Sequence, residues 1–145
     1  MQTENKFDLI VAGAGHSGIE ASLAAAKRGL KVALFTIKIE AIGRMSCNPS
    51  IGGPAKGHLA REIDALGGEI AKSADLSGIH FRMLNRSKGP AVWAPRSQND
   101  RQKYHLLMRE AIENQENIHL IEAIIEGIIV EQGKVKGVIS QIGCY

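Results

Sequence analysis

The chain has 145 residues, of which 44% are hydrophobic and 23% charged, with a formal net charge of +3 at neutral pH. That balance suits one small globular core, and its mild basicity fits either a polyanion partner or a solvated surface with a slight excess of Lys and Arg. Two widely separated cysteines, Cys47 and Cys144, exclude a disulfide framework and show no metal-ligand spacing, and no stretch approaches the roughly 20 apolar residues that span a bilayer. The N-terminus has no positive region followed by a long apolar run, so it is not a signal peptide, and the sequence reads as soluble and cytoplasmic.

Phe7 to Ala12 is a short apolar run that suits a buried parallel strand. Ile19 to Arg28 is rich in Ala, Leu and Glu and predicts a helix stopped by Gly29, with Lys27 and Arg28 at its negative end. Lys31 to Thr36 predicts a second strand, which completes a βαβ unit over residues 1–40. Residues 41–95 read as a loop-rich insertion. Five glycines and prolines fall between Gly43 and Pro54. A helix is expected over Lys56 to Leu66, where His58, Leu59, Glu62, Ile63 and Leu66 recur at spacings of three and four. Residues 69–95 look irregular, with Ile79 to Leu84 the best strand candidate. Ser97 or Asn99 is expected to cap a helix running to Glu113, with Tyr104, Leu107, Met108, Ala111 and Ile112 as its apolar stripe. Ile118 to Ile125 predicts the third parallel strand. Residues 127–131 and 134–141 predict a β-hairpin around Gln132-Gly133. A hairpin at the very end leaves an unpaired edge, so residues 1–145 read as an incomplete domain.

The turn Gly13-Ala14-Gly15-His16-Ser17-Gly18 joins the first strand to the first helix. In such a turn Gly13 allows the sharp exit from the strand, Gly15 lets backbone N–H groups approach a pyrophosphate, and Gly18 lets helix and strand pack closely. The helix N-terminus adds free donors and a positive dipole end. An acid for the ribose hydroxyls is often found about 20 residues further on, but here Thr36 stands at the end of the second strand. Thr36 can hydrogen-bond a hydroxyl, more weakly. His16 either touches ligand or faces solvent.

The loop Ser46-Cys47-Asn48-Pro49-Ser50-Ile51-Gly52-Gly53 is followed by Ala55-Lys56-Gly57-His58-Leu59, then by Glu62 to Gly68 and by Leu84 to Val92. In these stretches, and from Phe7 to Gly143 as a whole, the chain resembles the glucose-inhibited division protein A family. Trp93 and Pro95 depart from the Arg and Thr common there. The resemblance implies an α/β fold: a Rossmann-like FAD-binding domain of glutathione-reductase type, with a parallel sheet, the inserted segment and the start of a β-meander. It implies the flavoprotein subunit of the enzyme that adds a carboxymethylaminomethyl group to carbon 5 of the tRNA wobble uridine. FAD, NADH as reductant and methylene-tetrahydrofolate as one-carbon donor follow as expected cofactors. Expected partners are tRNA and an MnmE-like GTPase subunit in a heterotetramer, the flavoprotein itself being a homodimer. By motif match Gly13 to Gly18 hold the FAD pyrophosphate, and Ile125 contacts the adenine through its backbone.

Cys47 fits two roles. It is a candidate nucleophile for carbon 6 of uracil, in a flexible loop before a helix N-terminus, or a small apolar residue in a turn. Arg82, Arg86, Lys88, Arg96, Arg101 and Lys103 suit tRNA phosphates, a solvated or dimer-facing surface or, for Arg96 and Arg101 with Gln98, the flavin. Other readings are a different FAD or NAD oxidoreductase acting on small molecules, a folate-dependent tRNA uridine methyltransferase, or a nucleotide-binding module without chemistry. By itself the 145-residue chain is expected to be inactive.

Overall fold

The computed structural model describes residues 6–145. In chain order its elements are β1 (Leu9–Ala12), α1 (His16–Ala26), β2 (Val32–Thr36), β3 (Ser50–Gly52), α2 (Lys56–Ala65), α3 (Ile70–Ser77), β4 (Gly78–Leu84), β5 (Ala94–Asn99), α4 (Arg101–Glu113), β6 (Ile118–Glu122), β7 (Ile125–Glu131), β8 (Lys134–Ser140) and β9 (Gly143–Cys144). They form two compact units, residues 6–42 with 113–145, and residues 43–112.

The first unit holds a parallel sheet of order β1-β2-β6, with Leu9 opposite Val32 and Val32 opposite Ile118. Every residue of the central strand β2 is buried, as expected for a parallel strand with both faces covered. On one face Val32 packs with Ala25 and Ala26 of α1. On the other, Ala33 and Phe35 pack with Ala123 and Val138, joined by Ile10, Ile121, Ile125 and Tyr145. Strand alternation produces this division, and the Tyr145 ring stands edge-on to Phe35 at 5.2 Å. Full burial of a side chain such as Phe35 contributes about 2–3 kcal/mol.

The hairpin turns at Gln132 and Gly133, both at positive φ, the type I′ geometry that matches strand twist. A third strand, β9, extends it into the antiparallel sheet β7-β8-β9. The third parallel strand ends at Glu122, so Ile125 does not end it. Ile125 instead opens β7, opposite Ser140. The chain breaks at Ala123-Ile124 because β7 belongs to a different, antiparallel sheet.

Residues 43–112 are more regular than their sequence suggests. The expected irregular stretch contains α3 and β4, and β5 occupies the place expected for the start of a helix. The three strands form an antiparallel sheet of order β3-β5-β4. Ser97 and Asn99 do not cap α4; both face α3. Asn99 Nδ2 donates to the Ala74 carbonyl at 2.6 Å and to Ser77 Oγ at 3.0 Å. Ser97 Oγ donates to Asn99 Oδ1 at 3.1 Å. The cap of α4 is Asp100, whose Oδ1 accepts from the N–H groups of Gln102 and Lys103, both at 2.9 Å. Helix α4 buries Tyr104, Met108 and Ile112, half-exposing Leu107 and Ala111. Helix α2 does not pack through its apolar stripe, since Leu59 and Leu66 are exposed. Its contact is Gly57, where an added Cβ would lie 2.5 Å from the Pro95 carbonyl oxygen.

Candidate functional site

The glycine turn is built from three differently constrained glycines. Gly13 sits at φ +102°, a region side chains avoid, and its N–H extends the β1–β2 pairing by donating to the Phe35 carbonyl at 2.8 Å. At Gly18 an added Cβ would overlap the Gly13 carbonyl oxygen and stand 3.3 Å from Val11 Cγ1, so glycine is demanded by helix–strand packing. Gly15 has an ordinary extended backbone, and a Cβ there would meet nothing within 4 Å. Nothing in the described protein requires glycine at position 15. The open space above it is the cradle a pyrophosphate needs.

The start of α1 fits the same group. Gly15 is its N-cap and offers no side-chain acceptor, and the first helical bond is Ile19 N–H to the Gly15 carbonyl at 2.9 Å. The N–H groups of the first turn, at His16, Ser17 and Gly18, therefore precede any bond of that ladder, at the positive end of the helix dipole. Ala14 is buried and anchors the turn, whereas Gly13, Gly15 and Ser17 face solvent. His16 is half-buried, and burial pushes its imidazole below the usual value of 6.5, with Glu20 opposing.

At the end of β2, Thr36 is buried and its Oγ1 donates to the Lys38 carbonyl at 3.1 Å, which leaves the hydroxyl oxygen as an acceptor. A carboxylate stands beside Thr36 on the neighbouring strand β6. Glu122 stands opposite Thr36 in the parallel register, and its Oε2 accepts from the Ile39 N–H at 2.8 Å. No spacing rule in the sequence reveals Glu122, because only strand pairing brings it there. Ile125 is half-buried in the same cluster as Phe35, the residue whose carbonyl receives Gly13.

Cys47 belongs to the other unit, is exposed and forms no disulfide. Its loop is fastened from the β5–α4 junction. Arg101 Nη2 donates to the Cys47 carbonyl at 2.6 Å, and Asn99 N–H donates to the Pro49 carbonyl at 2.7 Å. Ser50 N–H closes the turn onto the Asn48 carbonyl at 2.7 Å. The expected helix N-terminus does not follow this loop directly: β3 and residues Gly53 to Ala55 intervene before α2. The constraint on Cys47 thus comes from Arg101, which sequence spacing does not reveal. Trp93 ties the β4–β5 connection by donating its indole N–H to the Lys88 carbonyl at 3.0 Å, beside the Asn85 Nδ2 bond to the Val92 carbonyl at 3.2 Å. Among the described residues no group of His, Cys, Asp and Glu is arranged to hold a metal, and no helix is long and apolar enough to cross a membrane.

Parallel strands, a glycine turn with one unexplained glycine and an uncapped helix start define a Rossmann-like α/β domain of the FAD-binding class. The same fold recurs, at 16% identity and a TM-score of 0.67 over 96% of this chain and 39% of the other, in a Pseudomonas aeruginosa protein described as a probable FAD-dependent monooxygenase. The family is settled by residues 8–145, which match the model described as glucose inhibited division protein A. The chain belongs to that family. It is 59% identical over its whole length to the tRNA uridine 5-carboxymethylaminomethyl modification enzyme MnmG of Thermodesulfovibrio yellowstonii, covering 23% of that protein. It superposes on Aquifex aeolicus GidA with a TM-score of 0.93 at 49% identity, over 99% of this chain and 24% of that one. The chain thus spans about a quarter of the length of these relatives.

Proposed function

We propose that this chain is the N-terminal, FAD-binding part of an enzyme that adds a carboxymethylaminomethyl group to carbon 5 of the tRNA wobble uridine. The observation that carries this reading is the 59% identity along the whole chain to a relative named for that modification. The open space at Gly15 and the uncapped start of α1 support the cofactor part of it. Gly13, Ala14, Gly15, His16, Ser17 and Gly18 hold the FAD pyrophosphate, the flavin supplying redox chemistry when bound. Ile125 meets the adenine through its backbone, and Thr36 offers its hydroxyl oxygen to the ribose. NADH as reductant, methylene-tetrahydrofolate as carbon donor, an MnmE-like GTPase partner in a heterotetramer, a homodimeric flavoprotein and a cytoplasmic location complete the proposal.

Cys47 is the nucleophile in this reading. Its thiolate adds to carbon 6 of the uracil, forming an S–C bond and shifting the ring's π electrons toward carbon 5 and the carbonyl at carbon 4. Carbon 5 then attacks a methylene iminium that joins the one-carbon unit to the amine of the carboxymethylamino group, and the C=N π pair passes to that nitrogen. Loss of the carbon 5 proton and expulsion of the thiolate restore the ring. Arg101 holds the Cys47 backbone while the thiol stays exposed.

Cys47→Ser, made in the polypeptide that carries this segment, is expected to abolish wobble-uridine modification while leaving bound flavin unchanged. Mass spectrometry of tRNA nucleosides reads the first and visible absorbance the second. Unchanged modification removes Cys47 from the chemistry, and absence of flavin from the unaltered protein overturns the cofactor assignment.

A further inference from the structure

The sheet β3-β5-β4 has one face covered by α2 and α3 and another that is buried at Ala94 but exposed at His80, Arg82, Arg96 and Gln98. Pro95, Ser97 and Asn99 point toward α2 and α3, as the Gly57 contact and the Ala74 hydrogen bonds show. Alternation along β5 then sends Arg96 and Gln98 to the opposite face, and both are exposed. Register places His80 beside Gln98 and Arg82 beside Arg96 on that face, with Ser50 of β3 on the other flank of Gln98.

Arg82 and Arg96 are direct cross-strand neighbours, which sets their Cβ atoms about 5 Å apart. Like charges so placed oppose strand pairing. The same-face positions 50, 52, 80, 82, 84, 94, 96 and 98 contain no Asp or Glu. Among the described residues neither arginine forms an ion pair, and the Arg96 guanidinium is steadied by donating from Nη2 to Ser50 Oγ at 3.2 Å. Two guanidiniums without an ion pair, one of them already oriented by Ser50, lie beside a Gln and a His in the next cross-strand pair.

We propose that Arg82 and Arg96 form an oxyanion subsite for a phosphate group. A phosphate dianion matches the charge of two guanidiniums and has enough oxygens for each to bind in a two-pronged way, which a single carboxylate does not. Gln98 and His80 supply further hydrogen bonds beside it. The subsite goes beyond the FAD reading, because it uses no residue of the glycine turn.

The test is calorimetric titration of inorganic phosphate into FAD-saturated protein at low ionic strength and pH 7.5, with far-UV circular dichroism to check folding. A saturable site is expected, weakened about tenfold by Arg82→Gln or Arg96→Gln and not restored by Arg96→Lys, with flavin content constant. In phosphate-free buffer Arg82→Gln is expected to melt no lower than the parent, since it removes repulsion. Phosphate is expected to raise the melting temperature of the parent more than that of the variant. Competition by glycerol phosphate alone identifies a small phosphate monoester as occupant; competition by an oligonucleotide with hydroxyl ends identifies a phosphodiester. The proposal is overturned if both glutamine variants titrate like the parent, or if Arg82→Gln is destabilised without phosphate.

Discussion

In the unit built on β1, β2 and β6, cohesion comes from buried apolar side chains, whereas in residues 43–112 much of it comes from hydrogen bonds between α3 and β5. Val32, Ala33, Leu34 and Phe35 are all shielded, and their alternation feeds two apolar clusters. In residues 43–112 the shielded set includes Glu69, Ser73, Ser77, Ser97 and Asn99. Ser73 Oγ donates to Glu69 Oε1 at 3.1 Å, Ser77 Oγ to the Ser73 carbonyl at 2.7 Å, and Asn99 closes the chain of bonds. Apolar burial is non-directional and accepts volume-conserving swaps, while a buried polar network loses heavily when one member is removed. The difference places the glycine turn in the forgiving unit, and the Cys47 loop in a geometry fixed bond by bond.

The largest effect is expected where the first unit is not forgiving. Replacing Gly by Ala inside a helix ordinarily stabilises by about 1 kcal/mol. At Gly18 the added Cβ overlaps the Gly13 carbonyl oxygen, so the sign reverses. Gly18→Ala is expected to lose about 3 kcal/mol in urea unfolding. Gly15→Ala is its control: the protein has room for the methyl group, so stability should stay within about 0.5 kcal/mol. FAD affinity should nevertheless fall about tenfold or more, the cost of at least one charge-assisted hydrogen bond. Equal destabilisation by both would mean that Gly15 serves packing and not a ligand.

Next in size is Asn99, which sharpens the comparison from the other side. Asn99→Ala removes the amide's bonds to the Ala74 carbonyl and Ser77 Oγ and the acceptor of Ser97 Oγ in a shielded place, and should lose about 2 kcal/mol. A volume-conserving change in β2, Leu34→Met, should cost less than about 1.5 kcal/mol. If the two changes were equal, the contrast between apolar and hydrogen-bonded cohesion would fail.

The same contrast explains what was legible in the sequence. Apolar runs reveal themselves, so β1, β2, β6, α1 and the hairpin around Gln132-Gly133 follow from periodicity and turn chemistry. The α3–β5 pair does not, because Ser-Ala-Asp-Leu-Ser and Pro-Arg-Ser-Gln-Asn carry no periodic apolar signal. Ser97 and Asn99 looked like caps because their side chains favour helix starts, but tertiary hydrogen bonds outcompeted that local preference. Asp100 was available as the cap one residue later. At the site, the glycine turn is readable because its glycines stand at a fixed spacing between an apolar strand and an Ala-rich helix. The Glu122 carboxylate beside Thr36 and the Arg101 bond to Cys47 join residues far apart in sequence, so only strand pairing and loop closure disclose them.

The smallest expected effect is a pH dependence at the start of α1. Burial lowers the His16 pKa below 6.5, and Glu20 reverses only part of that shift. The folded state therefore resists protonation more than the unfolded chain does. Above the unfolded value both states hold a neutral imidazole, and His16 contributes no pH dependence. As pH falls through about 6.5, the unfolded chain takes up a proton that the folded one refuses, so stability declines toward acid. Melting temperatures measured between pH 7.5 and 5.5 should drop by more in the parent than in His16→Gln, whose amide does not titrate. Because the change touches the glycine turn and leaves Asn99 alone, the acid-side decline should persist in Asn99→Ala. A variant His16→Gln that kept the parent's full decline would place the titrating group elsewhere and leave burial of the imidazole without consequence for folding.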